Sequence, residues 1–464
     1  MTPTRALARS ATAAVVLSFL WPGLGHAYQR RYRAALIYAV PMIAVAVYVV
    51  IGLVQRGVRG MALDLFDPSF AQTVLILGVL LGIWRLAAMV DVWLFARQGG
   101  SPTKLASGVL AVLVLAVVAV HGYGVVLANS FSEASKEIFV GSPGGDLPFP
   151  DLESPDGSPI ASAPLFEDVP VETPATKSDR ITLLLMGVDS SEHRTHALTD
   201  TLMVVSVDPD TKTGAMVSIP RDVGRFKLTS GVTYAAKINS LLSYARRHPD
   251  EFPDGPTKTL LKEVGHLVGV PIPYYAAVDL AGFVKLVDLV GGVTVNNPRA
   301  IDDPRYGGWT NGHAIGFHLS AGKHDLDAQE ALAFVRSRYG AGDSDFSRAR
   351  RQQILLLALQ KKLTSPEMLP KLPDILAAAG GMLKTNFPAK RLSEVLDLAG
   401  QVKQRDMKRV VLGPGYTTKS SDPSVYMLVP DMKKFARESV ILFGPDSRWY
   451  EPPASPSPAA SPAP

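Results

Sequence analysis

The sequence predicts an α/β sandwich with a mixed central sheet, preceded by a helical region that crosses a membrane several times. Three features of the chain support this. Long uncharged apolar runs lie in the first 140 residues, an acidic proline-rich stretch follows them, and strand patterns alternate with helical patterns after residue 177. The 464 residues are 47% hydrophobic and only 19% charged, which is too apolar for a disordered protein.

Residues 1–140 form the predicted membrane region. Residues 34–54 and 105–129 are uncharged and mostly aliphatic, and each has at least the roughly 20 residues that a membrane helix needs. Residues 73–96, which lie between these two, make a further span that contains Arg85 and Asp91. Because six residues of helix place these two side chains about 120° apart, we expect them to contact neighbouring helices or lie near an interface.

Residues 11–28 are apolar, but the run is short and is interrupted by Pro22, Gly23 and Gly25. We interpret the segment as re-entrant or interfacial. A cleaved signal peptide is the competing interpretation, and the spans that follow argue against it.

Basic residues flank the spans asymmetrically. They cluster before the first span and between the second and third, at Arg5, Arg9, Arg30, Arg31, Arg33, Arg97 and Lys104. By the positive-inside rule the N-terminus is then cytoplasmic, and everything after residue 132 lies outside. The sequence therefore predicts a multi-pass protein of the cell membrane, in contact with the lipid bilayer, with an extracytoplasmic domain.

Residues 141–176 contain eight prolines, seven acidic residues and no basic residue, a composition typical of an extended linker. Residues 177–450 make up the outer domain, and residues 451–464 form a disordered Pro/Ser/Ala tail. The outer domain is mildly basic, which suits either a solvated surface or an acidic ligand. It has no basic stripe of the kind that binds nucleic acid, so no nucleic-acid partner is expected.

The absence of cysteine excludes a disulfide scaffold, a thiol nucleophile and cysteine-built metal centres. The nine histidines show no metal-binding spacing.

The outer domain reads as alternating strands and helices, which favours a mixed sheet between helices. Strands are predicted at 181–189, 201–209, 215–222, 274–278 and 293–296. Helices are predicted at 238–246, 257–268, 280–290, 326–335, 346–363, 372–382, 392–402 and 431–442.

Polar residues cluster at the ends of these elements. Asp189 ends the first strand, Asp200 begins the second, and Arg221 and Asp222 end the third. A basic run follows much later, comprising Arg336, Arg338, Asp345, Arg348, Arg350, Arg351, Gln352 and Gln353. Arginine forks suit phosphate recognition, and two carboxylates can hold a magnesium ion that bridges to substrate phosphates. These parts together suggest a diphosphate site, although a solvated basic helix has the same composition.

Six ordered motifs strengthen this interpretation. They are LLLMGVDS, LTDTLMVVSVDPDTKTGAMVSIPRD, KINS, GFVKLVDLVGGVTVNN, LDAQEALAFVRSR and DFSRARRQQ, within residues 180–365. The chain resembles the LytR-CpsA-Psr family of cell-wall glycopolymer ligases. The resemblance implies a three-layer α/β/α domain outside the membrane. It also implies transfer of a polyprenyl-diphosphate-linked glycopolymer onto peptidoglycan, with release of polyprenyl phosphate.

The resemblance also assigns residues. It implies Mg²⁺ contact by Asp189 and Asp200. It implies diphosphate binding by Arg221, Lys237, Arg336, Arg338, Arg348 and Gln352. Arg348 is then expected to be the main transition-state contact, and Asp345 or Asp222 is either the general base or a partner that orients an arginine.

The sequence departs from the family pattern at Leu198, where the family usually has Arg, and Arg194 is a possible substitute. It also departs in having three predicted spans, where the family usually has one. Two other functions use the same features: a diphosphatase, in which water replaces the glycan hydroxyl, and a non-enzymatic lipid-binding envelope regulator.

Overall fold

The computed structural model describes residues 10–98, 104–139, 179–189 and 198–452, with gaps at 308, 311–312, 315, 341, 364, 381, 392–393, 396–397, 399–400, 403 and 423. The chain divides into two compact units, Met1–Ser135 and Lys136–Pro464. The predicted linker 141–176 and most of the predicted tail lie outside the described residues, and the predicted helix 392–402 falls largely within the gaps.

The first unit is helical. Its helices are α1 (Ala11–Leu20), α2 (Leu24–Tyr28), α3 (Tyr32–Leu63), α4 (Pro68–Gln98) and α5 (Lys104–Ile138). Three segments are long and apolar enough to cross a membrane, namely Tyr32–Val58, Ser69–Gln98 and Lys104–Ile138. Each contains one of the predicted spans, so the prediction of three apolar helices before the outer domain is confirmed.

The two charges of the predicted span 73–96 contact neighbouring segments of the same unit. Asp91 Oδ2 lies 2.8 Å from His26 Nε2 and 2.7 Å from Arg31 Nη1. Arg85 donates from Nε to the Phe19 carbonyl at 3.1 Å. The two charged side chains thus bind groups of the segment 11–31 and do not pair with each other, as the helical period predicts.

The second unit is built on a six-stranded sheet of order β13-β6-β1-β2-β3-β14. Its strands are β1 (Ile181–Asp189), β2 (Leu198–Val207), β3 (Gly214–Ile219), β6 (Tyr274–Asp279), β13 (Leu383–Thr385) and β14 (Met407–Val411). The pairs β1–β6 and β3–β14 are parallel, and the other three are antiparallel. The predicted mixed sheet is therefore confirmed.

Short two-stranded ribbons surround this sheet, and the sequence patterns predict only one of their strands, at 293–296. The ribbons pair β4 (Gly224–Lys227) with β5 (Thr233–Lys237), β7 (Val293–Asn297) with β12 (Gly322–Leu326), β8 (Ile301–Asp303) with β11 (Phe317–Leu319), β9 (Trp309–Thr310) with β10 (His313–Ala314), and β15 (Thr417–Lys419) with β16 (Leu428–Pro430).

The helices of this unit lie close to their predicted bounds. They are α6 (Leu241–Arg247), α7 (Pro256–Val268), α8 (Leu280–Leu289), α9 (Ala328–Arg336), α10 (Asp345–Leu363), α11 (Leu372–Gly380) and α12 (Met432–Phe443). The start of α9 is set by a capping box, in which Asp327 accepts from the Glu330 amide and Glu330 accepts from the Asp327 amide.

Helices cover both faces of the sheet, because successive residues of a strand point to opposite faces. In β3, Val217 packs in a core with Leu260 and Val264 of α7. Its neighbour Ser218 accepts a hydrogen bond from Gln353 of α10 at 2.9 Å. The outer domain is thus the three-layer α/β/α arrangement that the family resemblance implies.

Candidate active site

The predicted site residues whose side chains are described meet at one end of the sheet, where the start of β2 and the end of β3 face the first turns of α10. A cavity of about 360 Å³ opens there. Its lining contains six predicted residues, namely Asp200, Arg221, Arg336, Arg338, Arg348 and Gln352. Of the described residues, five arginines and two aspartates line it, an excess of positive charge that suits a doubly charged anion such as a diphosphate diester.

Asp200 lies in β2 at a β-bulge. In the pairing of β1 with β2, Gly187 opposes Thr201 and Val188 opposes Thr199, so Asp200 is the extra residue. Bulges locally redirect the strand and its side chains, and they are frequent beside active sites. Here the Asp200 carboxylate meets Arg221, whose Nη1 donates to Oδ1 at 2.8 Å.

Arg221 connects two acids of the site. Its Nε lies 3.5 Å from Asp345 Oδ2, in addition to its bond with Asp200. Burial lowers the pKa of Arg221, but the hydrogen bond with Asp200 and the charges of Asp200, Asp345 and Asp222 outweigh burial and raise it. The guanidinium is therefore fixed in its charged form at the mouth of the cavity.

Arg348 occupies the buried end of the charged cluster, with its side chain 9% exposed. Its Nη2 lies 3.6 Å from Asp345 Oδ1 and donates to the Asp200 carbonyl at 3.3 Å. Burial lowers the pKa of Arg348. The negative charges of Asp345 and Asp200 oppose this shift, whereas the positive charges of Arg221 and Arg338 lower the pKa further. A buried guanidinium with cationic neighbours gains stability from a bound anion, which is the property that a phosphate contact requires.

Arg336 and Arg338 leave the end of α9 and reach the same cavity. Arg338 Nη1 lies 4.0 Å from Asp345 Oδ1, so Asp345 faces three arginines. This arrangement supports Asp345 as an orienting partner of arginines, which is one of the two roles the sequence leaves open.

A buried acid that sequence reasoning missed holds this arginine segment in place. Asp303 Oδ2 accepts from the Arg338 amide at 2.9 Å, the Tyr339 amide at 3.0 Å and Ser337 Oγ at 2.8 Å. Burial raises the pKa of Asp303, but the hydrogen bonds from Tyr339, Arg338, Ser337 and Arg305 outweigh burial and lower it. Asp303 thus stays ionised and fixes the backbone from which Arg338 projects.

Asp222 and Lys237 form an ion pair beside the arginines, with Lys237 Nζ 2.5 Å from Asp222 Oδ1. Burial raises the pKa of Asp222, but the hydrogen bonds with Lys237 and Asp345 and the charges of Lys237 and Arg221 outweigh it and lower the pKa. Lys237 is therefore placed to hold Asp222 ionised and does not itself line the 360 Å³ cavity.

The basic run on α10 separates into faces with different roles. Gln352 donates to Thr201 Oγ1 at 2.9 Å and lines the cavity. Arg351 is buried, donates to the Phe334 carbonyl at 2.6 Å, and pairs with Asp343 at 2.7 Å. Arg350 is exposed. Only part of the run therefore belongs to the site, and the rest is packing or surface.

The predicted metal ligands are only partly described. Asp189 ends β1, paired with Leu198, but its side chain lies outside the described residues, as does Arg194. Among the described residues there is no group of three or more His, Asp or Glu that could form a complete metal site. Magnesium that bridges to phosphate needs only one or two carboxylates, and Asp200 Oδ2 accepts no hydrogen bond from the side chains described. The donor chemistry therefore fits a magnesium–diphosphate site, and the assignment stays a prediction.

Comparison with known proteins gives a consistent result. Residues 161–436 match the sequence model of the LytR-CpsA-Psr family. The chain is 30% identical over 259 residues to the polyisoprenyl-teichoic acid–peptidoglycan teichoic acid transferase TagU of Bacillus mycoides, covering 56% of this chain and 77% of that protein. It is 31% identical over 220 residues to biofilm regulatory protein A of Streptococcus mutans, covering 44% and 49% respectively.

Solved structures that match this chain include TagV of B. subtilis, with a TM-score of 0.45 and 24% identity over 60% of this chain and all of that chain. TagT bound to LIIa-WTA matches with a TM-score of 0.42 and 23% identity, over 62% of this chain and 97% of that chain.

Proposed function

The chain belongs to the LytR-CpsA-Psr family, and from this premise we propose that it transfers a polyprenyl-diphosphate-linked glycopolymer onto peptidoglycan. The observation that carries the proposal is the arginine-lined cavity, which joins an apolar cluster. Tyr306 and Val335 line the cavity and also pack in the core formed by α8, α9, α10 and α11. We propose that the polyprenyl chain attached to the diphosphate begins beside these two apolar side chains.

In the proposed reaction, a hydroxyl of the acceptor glycan attacks the phosphorus next to the sugar. A new phosphodiester forms, the bond from that phosphorus to the bridging oxygen breaks, and polyprenyl phosphate leaves. Arg221, Arg336, Arg338 and Arg348 bind the diphosphate, and the buried Arg348 stabilises the charge that grows in the transition state. Such chemistry depends mainly on positioning and electrostatics, which these residues supply.

The proton of the acceptor hydroxyl passes to a carboxylate. Asp222 is the better candidate, because its carboxylate has one close cationic partner, Lys237, whereas Asp345 is shared by three arginines. Mg²⁺ held by Asp189, Asp200 and the phosphate oxygens would supply further neutralisation of the diphosphate charge.

The proposed location follows from the same family assignment and the three apolar helices. The N-terminus lies in the cytoplasm, the three apolar helices anchor the chain in the bilayer, and the outer domain works where peptidoglycan is found. This orientation rests on the distribution of Arg and Lys around the spans.

The test is a reconstituted transfer reaction. The full chain in detergent is given a polyprenyl-diphosphate-linked glycopolymer, with and without peptidoglycan. We expect polymer to become covalently attached to peptidoglycan only when both substrates are present. Consumption of the donor at the same rate without peptidoglycan would identify a diphosphatase, and binding without consumption would identify a lipid-binding regulator.

A further inference from the structure

A second cavity adjoins the arginines. It has a volume of about 290 Å³, and it shares Arg221, Arg338 and Tyr339 with the 360 Å³ cavity. Its other walls include Asp345, Phe346 and Tyr426. A molecule in this second cavity therefore contacts the same guanidinium groups that bind the diphosphate.

Exposed apolar side chains are concentrated at the second cavity. The described part of the outer domain has six large hydrophobic side chains that are exposed. Two of them, Tyr339 and Tyr426, each 54% exposed, line this cavity, and a third, Val425, is next to Tyr426 in sequence. Exposed aromatic faces beside charged groups suit a ligand that has both apolar and polar sides. A sugar ring has this character, because its C–H face stacks on an aromatic ring while its hydroxyls form hydrogen bonds.

The loop that carries Tyr426 is fixed to the candidate base. The Leu428 amide, at the start of β16, donates to the Asp222 carbonyl at 2.8 Å. Lys237 Nζ, which pairs with Asp222, lies 5.8 Å from the centre of the Tyr426 ring. Burial raises the pKa of Tyr426, and the charges of Asp222 and Asp345 raise it further, which agrees with a phenol that faces both acids.

We propose that the second cavity is the acceptor subsite and that it binds a saccharide of the peptidoglycan glycan strand, with the Tyr426 ring as its stacking platform. The inference rests on the proposed transfer function and assigns its second substrate. In this proposal, a sugar held on Tyr426 has its hydroxyl between the Asp222 carboxylate, which takes the proton, and the phosphorus bound by Arg221.

Steady-state kinetics of the full chain test this subsite. At saturating donor, Tyr426→Ala is expected to raise the KM for a soluble peptidoglycan fragment about tenfold and to leave the KM for the donor within about twofold. Tyr426→Phe keeps the ring and should behave nearly as wild type. Ile441→Ala, which removes an exposed apolar side chain of α12, is the matched control and should change neither constant. An unchanged acceptor KM in Tyr426→Ala overturns the inference and leaves the transfer function standing.

A binding measurement separates the two proposals. Saturation-transfer NMR with an uncharged peptidoglycan disaccharide should show contact with wild type and with Tyr426→Phe, and loss of contact with Tyr426→Ala. Disaccharide binding that depends on Tyr426 without any phosphodiester product would support the subsite and refute the transferase. Disaccharide binding that is equal in all three proteins would refute the subsite.

Discussion

Arg348 offers the strongest test of the arginine cluster, because the structure shows which contacts its side chain makes and therefore which contacts a substitution would remove. The side chain is buried, touches Asp345 and the Asp200 carbonyl, and opens to the cavity. Arg348→Ala deletes a fork that can give two charge-assisted hydrogen bonds to phosphate oxygens, each contributing roughly 1.5–3 kcal/mol. The total of about 3–6 kcal/mol corresponds to a decrease in kcat/KM of roughly 10²- to 10⁴-fold.

The decrease should appear in kcat more than in the donor KM, because the proposed contact strengthens as charge moves in the transition state. Arg348→Lys keeps the charge but not the fork, so it should lose about half of this free energy. Arg350→Ala removes an exposed arginine two residues away on the same helix and is the control, with activity expected within about twofold of wild type.

The assay is polymer transfer at varied donor concentration, accompanied by thermal unfolding. Removing Arg348 also removes its repulsion with Arg221 and Arg338, so we expect Tm to change by no more than about 4 °C. A folded Arg348→Ala protein with kcat/KM within about threefold of wild type would refute the assignment of Arg348 to the transition state.

Three further predictions test other parts of the site. Asp222 has a lowered pKa, so it stays ionised until the pH falls through that pKa. Lys237→Met removes the hydrogen bond that contributes most to lowering this pKa, so the acid limb of the pH profile of kcat/KM should move to higher pH. Chelation should stop transfer, and Asp189→Asn and Asp200→Asn should each raise the magnesium concentration for half-maximal rate; an unchanged value removes that residue from the metal site. Asp303→Asn should raise the donor KM about tenfold, measured by initial rates, because it weakens the hydrogen bonds that hold the Arg338 backbone.

The sequence predicts the sheet well because its central strands are continuous apolar runs. A strand covered on both faces needs such a run, and β1, β2 and β3 are found close to the predicted positions. Arg336, Arg338 and Arg348 were also predictable, since they fall in two short motifs at the end of α9 and the start of α10. In these segments, both the secondary structure and the charged residues are set by short continuous stretches of sequence.

The supporting residues were not predictable, because their partners are distant in sequence. Asp303 accepts hydrogen bonds from backbone amides 35 and 36 residues further along the chain. A hydrophobic pattern with the period of a helix or strand does not indicate such a long-range contact. Tyr426 joins the site only because the β15–β16 ribbon binds the backbone at Asp222. Likewise, the pairing of Asp200 with Arg221 depends on the bulge in β2, which strand alternation alone does not show.

The identity of the lipid product is the sharpest test of the proposed attack at phosphorus. The full chain is incubated with donor and peptidoglycan, and the released lipid and the polymer linkage are analysed by mass spectrometry. We expect polyprenyl monophosphate in equal amount to polymer joined to peptidoglycan through a phosphodiester, because the bond broken lies between the phosphorus next to the sugar and the bridging oxygen. Release of polyprenyl diphosphate, with polymer joined by a glycosidic bond, would contradict attack at phosphorus and with it the role given to the arginine cluster.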